Sequence, residues 1–237
     1  IAPVGESKPN IEVFRLLAKR MGYTDTCFDD TDEEVCRQAL QSTNPRMAGI
    51  EWESLKQQGW QRLTVPEQYA PFAEGGFPTP SGKCEFYSET AKSLGLDPLP
   101  AYTPPRENVQ ANPGLGKKYP LAFISPPNRD FLNSSFANMP FALASAKEPM
   151  LHIHPDDAKA RGIASGGQVR VFNDRGSYAL KAAISERARP GVVVAPSVWW
   201  RKLSPDGRNA NDLTSQGVAD MGGAATYYDV LVEVAKA

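Results

Sequence analysis

The hydrophobic positions fall into two regimes along the chain. In the first half they recur at helical spacing. Ile11, Phe14, Leu17, Ala18 and Met21 share one helical face, with Asn10 as the expected N-cap and Gly22 as the stop. Thr31-Asp-Glu-Glu34 fits a capping box opening a second helix, with its acids at the positive end of the helix dipole. A third helix is expected from Ile50 to Gln58, ending at Gly59. Thr79–Gly82 reads as a turn, Lys83–Tyr87 as a short strand, and Ser88 as the cap of a helix ending at Gly95.

In the second half the apolar runs shorten to strand length. Tyr119–Ser125, Met150–His154, Gln168–Asn173, Ser177–Ile184, Val192–Ala195 and Tyr228–Val234 are the expected strands. Asn173–Gly176 turns the third into the fourth. Pro155 at a first helical position, followed by Asp156 and Asp157, opens the single short helix expected here, closed by Gly162. About six short strands separated by turns predict a small closed barrel. The fold class is therefore α+β, mainly β: a helical N-terminal segment followed by a six-stranded barrel.

Proline sharpens the division. Fourteen of the 21 prolines lie between Pro66 and Pro149, and Leu96–Arg106 cannot be helix interior because proline removes donors and fixes φ. The boundary is placed near Gly116, giving a helical region with a proline-rich linker over 1–116 and a barrel over 117–237. The net charge of −1 conceals an acidic first part (−5) and a basic second part (+4). So balanced a chain is no generic nucleic-acid binder, and no apolar run is long enough for direct membrane insertion. The start at Ile1-Ala-Pro-Val4, without Met, reads as the middle of a longer protein.

Motifs of catalysis are sparse. Cys27, Cys36 and Cys84 form no Cys-x-x-Cys and read as reduced structural thiols, so no iron–sulfur or zinc site is expected within these residues. His152 and His154 share a strand face but have no third ligand, and they read as structural. Phosphate-binding glycine loops and hydrolase nucleophile motifs do not occur. Small polar residues gather instead on two loops: Ser125, Asn128, Asn133, Ser134 and Ser135 after the first strand, and Asn209, Asn211, Asp212 and Thr214 after Trp199-Trp200. Such residues serve either as loop caps or as contacts for a ligand rich in hydrogen-bonding sites.

Their order carries more than their composition. PLAFISPPNRDFLNSSFAN, HIHPDDAKARGIASGGQVRVFNDRG, ARPGVVVAPSVWW, NANDLTSQ and YYDVLVEV follow one another over the last 120 or so residues. This succession resembles the molybdopterin-dinucleotide-binding domain of the dimethyl sulfoxide reductase family of molybdenum or tungsten oxidoreductases. GESKPNIEVFRLLAKRMGY and FPTPSGKCEFYSE look like the preceding helix and link of the same family.

The resemblance implies a double-psi β-barrel and two pyranopterin guanine dinucleotides holding one molybdenum or tungsten. It implies cofactor contacts at Ser125, Pro126, Asn128, Asn133, Ser134 and Ser135, at Asn211 of the "N-LT" motif, and at Tyr228. Asn133 stands where relatives often carry His, and Tyr228 where many carry Lys. Trp200 and Leu203 would pack on the cofactor, and Arg129 or Arg175 would meet its pyrophosphate. The metal ligand and the iron–sulfur motif would lie upstream, in the remainder of a catalytic subunit, with an iron–sulfur electron-transfer subunit as a further partner. Two other readings stay open: a double-psi adaptor that binds a protein without redox chemistry, and a hydratase-type member that keeps the metal cofactor.

Overall fold

The computed structural model describes residues 2–197 and 199–237. They form two compact units, one ending at Cys84 and the other beginning at Glu85.

The first unit is built from helices α1 (Asn10–Met21), α2 (Asp32–Leu40) and α3 (Trp52–Gln58). The stops at Gly22 and Gly59 are as expected; both adopt the left-handed conformation, at φ 81° and 80°. The capping box forms: the Glu34 N–H donates to Thr31 Oγ1 at 3.2 Å, and the Thr31 N–H donates to Glu34 Oε2 at 2.6 Å. Asn10 is not the cap. Pro9 precedes the helix in an extended conformation without a side-chain bond, and Asn10 is already helical. Polar contacts tie α2 to α3. Glu33 accepts from Arg37, Trp52 Nε1 and Lys56, and these donors, Arg37 foremost, pull its carboxyl down to about 2. Ala18 is the only buried hydrophobic residue among those described up to Cys84.

The second unit is the barrel and its attachments. Its strands are β1 (Leu121–Ile124), β2 (Met150–Ile153), β3 (Gln168–Phe172), β4 (Ser177–Ile184), β5 (Val192–Val194) and β6 (Leu231–Lys236). They close in the order β1-β5-β2-β4-β3-β6. The β1–β5 and β2–β4 pairs are parallel, and the other four are antiparallel. This six-stranded mixed barrel is of the double-psi kind. Alternate residues fill it, as period-two side-chain alternation requires. Phe123, Leu151, Ile153, Val169, Val171, Leu180, Val193 and Val232 are almost wholly buried. Each such side chain is worth about 1.5–3 kcal/mol of burial, so the barrel is the stable centre of the chain.

Closure explains one failed expectation. Lys83–Tyr87 forms no strand. A closed barrel offers no free edge to pair with, and Thr79 Oγ1 bonds the Lys83 carbonyl in a local turn instead. Where one short helix was expected in the second half, two form, α6 (Pro140–Ala146) and α7 (Pro155–Ala160), and a further one, α5 (Pro113–Lys118), bridges the expected boundary; each has Pro in its first turn. The helix after Ser88 forms as α4 (Glu89–Ser93), ending before Gly95. The last strand starts three residues later than expected. The Leu231 N–H donates to Glu107, and Asp229 accepts from the N–H groups of Arg106 and Glu107, so the chain is tied to the linker here, although the Val230 carbonyl still accepts from the Phe123 N–H of β1. Through these bonds the segment before Gly116 packs with the barrel, and the compact units divide at Cys84–Glu85.

Candidate functional site

β1 and β5 run parallel and continue side by side beyond their ends. The Ala195 N–H donates to the Ile124 carbonyl at 3.0 Å, the Ser197 N–H to the Pro126 carbonyl at 2.8 Å, and the Asn128 N–H back to the Ser197 carbonyl. Ser197 Oγ donates to the Ser125 carbonyl at 3.0 Å. Ser125, Pro126 and Asn128 are thus fixed by backbone bonding, with Ser197 as the splint. Ser197 is a residue that sequence reading missed, although it lies inside the quoted APSVWW run.

From here the chain makes a polar excursion. Asn128 Oδ1 accepts from the Asp130 N–H at 2.8 Å, and Asp130 accepts from Ser145 Oγ at 2.6 Å. Leu132 and Ser135 exchange both backbone bonds, so Asn133 and Ser134 form the tip of a two-residue turn. Asn133 takes φ 50° there, a conformation its short amide tolerates better than most side chains. Phe136 and Lys147 also have positive φ, at 65° each, so three of the four non-glycine examples among the described residues lie between 133 and 147. Such strain costs about 1–3 kcal/mol per residue and clusters at ligand-holding segments. The excursion is anchored below by a small core in which Phe131 meets Trp199 edge to face at 5.3 Å, with Ala137 and Ala142 around them.

The second loop approaches the same place. Asn209 spends its side chain on structure: its oxygen accepts from the Asn211 N–H and its amide donates to the Trp199 carbonyl. Asp212 does the same, pairing with Arg201 at 2.8 Å and accepting from the Asn209 N–H at 2.9 Å. Both of its oxygens are thus engaged within the fold. Among the described residues the side chain of Asn211 has no hydrogen-bond partner. Asn211 lines a narrow crevice with Tyr178, Pro196, Ser197 and Trp199. Pro196 and Trp199 also line an adjoining cleft of about 190 Å³ with Asn128, Arg129, Asp130 and His152.

The structure thus brings Ser125, Pro126, Asn128 and Asn211 to one end of the barrel, around Pro196–Trp199. Asn133, Ser134 and Ser135 stand exposed on a turn of the loop between β1 and β2. Tyr228 belongs elsewhere: it is 53% exposed and lines a separate groove with Leu99, Pro105 and Met221. Arg175, a candidate for pyrophosphate, is spent on Glu107 and the Leu213 carbonyl. The Arg129 guanidinium, beside the cleft, has no partner among the described residues. Leu203 packs against the Trp199 cluster, whereas Trp200 stays exposed with Lys202 over its ring at 5.7 Å. His154 caps α7 by accepting from the Asp156 N–H. Burial, and then the charge of Arg187, push the pKa of His152 below its ordinary value. Among the described residues no group of three or more His, Cys, Asp or Glu side chains is arranged to hold a metal ion.

The donor set therefore consists of one guanidinium, side-chain amides and hydroxyls on two loops, with no cluster arranged to hold a metal among the described residues. It suits an extended anionic ligand with many hydrogen-bonding atoms. Residues 121–231 match the family profile of the molydopterin dinucleotide binding domain. The barrel is similar to that domain over most of its length. Over 98% of its length the chain is 40% identical to the probable oxidoreductase YoaE of Bacillus subtilis, and over all of it 30% identical to the dimethyl sulfoxide reductase DmsA of Escherichia coli. It covers 32% of each, so the chain spans about a third of the length of these relatives. Among solved structures, acetylene hydratase from Pelobacter acetylenicus superposes with a TM-score of 0.73 at 24% identity, over the whole of this chain and 34% of that one. At that identity the likeness speaks for the fold alone.

Proposed function

We propose that this chain is the C-terminal part of the catalytic subunit of a molybdopterin oxidoreductase, and that its barrel closes over a bis(pyranopterin guanine dinucleotide) centre of molybdenum or tungsten. The observation that carries the reading is the match of residues 121–231 to a dinucleotide-binding domain, in a barrel whose loop donors converge at one end. The residues fit such a group. Arg129 offers a charge-assisted fork to pyrophosphate oxygens, and Asn211 and the Ser134 and Ser135 hydroxyls offer donors and acceptors to pterin or guanine edges. Ser125, Pro126 and Asn128 supply a rigid wall, because β1 and β5 hold their backbone. The Phe131–Trp199 cluster keeps water from beneath that wall.

When bound, such a cofactor supplies two-electron redox chemistry at its metal, with oxygen-atom or hydride transfer as the reaction class. What this chain contributes is position and dryness. The metal ligand and an iron–sulfur cluster belong to residues outside this chain, and an iron–sulfur electron-transfer subunit is the expected redox partner. Full-length protein produced with its cofactor should release about two guanine nucleotides per metal atom, as the bis-dinucleotide reading requires. Protein that holds the metal without guanine nucleotide would refute the reading.

A further inference from the structure

One network in the second unit joins the linker to the loop that carries Asn211. The backbone of Arg106 and Glu107 is held by the Asp229 carboxylate, at 3.0 and 2.7 Å. The carboxylate of Glu107 in turn grips the Arg175 guanidinium with both oxygens, one of them at 2.9 Å, and accepts from the Leu231 N–H at 3.1 Å. Glu107 keeps only 15% of its side-chain exposure. The remaining edge of Arg175 points the other way: its Nε donates to the Leu213 carbonyl at 2.7 Å. Asn173 Nδ2 donates to the same carbonyl at 2.9 Å and to that of Leu231 at 3.2 Å. Leu213 is fully buried, so its carbonyl has no water to fall back on and both lone pairs are satisfied by this turn. Gly176 allows the contact. A Cβ there would lie 2.8 Å from the Asp212 carbonyl oxygen.

We propose that Glu107 and Arg175 are positioning residues: through the Leu213 carbonyl they fix the 209–214 turn, and with it the direction in which Asn211 presents its unbonded amide. The linker is then part of the site's scaffold. A planar guanidinium suits the task, because one edge forks onto a carboxylate while Nε remains free to donate. Lysine opposite Glu107 keeps the ion pair and loses the Nε donor. The consequence for ligand binding rests on the function proposed above; the consequence for the turn does not.

The experiment compares Glu107→Gln, Arg175→Lys and Asp174→Asn in the full-length protein. Asp174 sits on the same hairpin turn and bonds Tyr119 and Lys118 without touching Leu213, so it controls for general loosening of that turn. Backbone hydrogen exchange is followed over residues 209–214, and bound guanine nucleotide is counted after purification. Exchange should quicken about tenfold in Glu107→Gln and Arg175→Lys and stay within about twofold of the parent in Asp174→Asn. Bound nucleotide should fall severalfold in the first two only. Unchanged exchange in Arg175→Lys, or equal quickening in all three, overturns the positioning role. Quickened exchange with full nucleotide content upholds it and overturns the assignment of this turn to the cofactor.

Discussion

Asn209, Asn211 and Asp212 are three polar residues within one turn, and their side chains have different employment. Two are consumed by the turn, as cap and counter-cap, with Asp212 also held by Arg201. Asn211 alone among them is unspent. In composition they are interchangeable loop residues; only the hydrogen-bond partners separate scaffold from contact. Asn211→Ala should therefore lower guanine nucleotide retained by the full-length protein about fivefold, the value of roughly one hydrogen bond. Stability should change by no more than about 0.5 kcal/mol, since the side chain supports nothing in the fold. Unaltered nucleotide content with a lowered melting temperature would make it a turn residue after all. The same accounting removes Arg175 from the candidate contacts and leaves Arg129, whose guanidinium has no competing partner among the described residues.

At the scale of elements, the strands were legible because each is a short apolar run between turn residues, and a barrel buries alternate positions of every strand. Val169, Val171, Tyr178, Leu180 and Ala182 show this across the β3–β4 hairpin. The capping box at Thr31 was legible for a similar reason: the signal is local. What was not legible depends on distant groups. The late start of β6 is set by Glu107 and Asp229, residues about 120 apart in sequence from their partners. The helices α5 and α6 did carry a local sign, Pro in their first turn, which the proline-rich context masked. The turn between β3 and β4 illustrates how one atom matters at this scale. Gly176→Ala places a methyl group against the Asp212 carbonyl, 2.8 Å away by ideal geometry. Overpacking of this kind costs about 1–3 kcal/mol, so the variant should unfold at lower urea concentration. A midpoint equal to the parent's would mean that the hairpin and the 209–214 turn move apart freely.

The two units of the molecule differ in kind. The barrel has a continuous buried core, whereas the helical unit holds its elements with polar contacts such as those at Glu33 and leaves Phe14, Leu17 and Met21 of α1 exposed. A helical face of that apolarity is explained by the proposal that the rest of a catalytic subunit packs on it, in keeping with relatives about three times as long. The charges that cancel in the net value divide in the same sense: residues 1–84 carry 9 basic and 12 acidic residues, net −3, and residues 85–237 carry 17 basic and 15 acidic, net +2. The order of motifs pointed to the family; the structure adds which candidate donors gather at one end of the barrel and which of them are spent on the fold.

That assignment is tested most directly by backbone hydrogen exchange on the full-length protein with and without its dinucleotide cofactor. The cofactor should slow exchange over residues 125–135 and 209–214, and leave the groove around Tyr228 and Leu99 unchanged. Protection confined to that groove, or absent from both loops, would contradict the assignment.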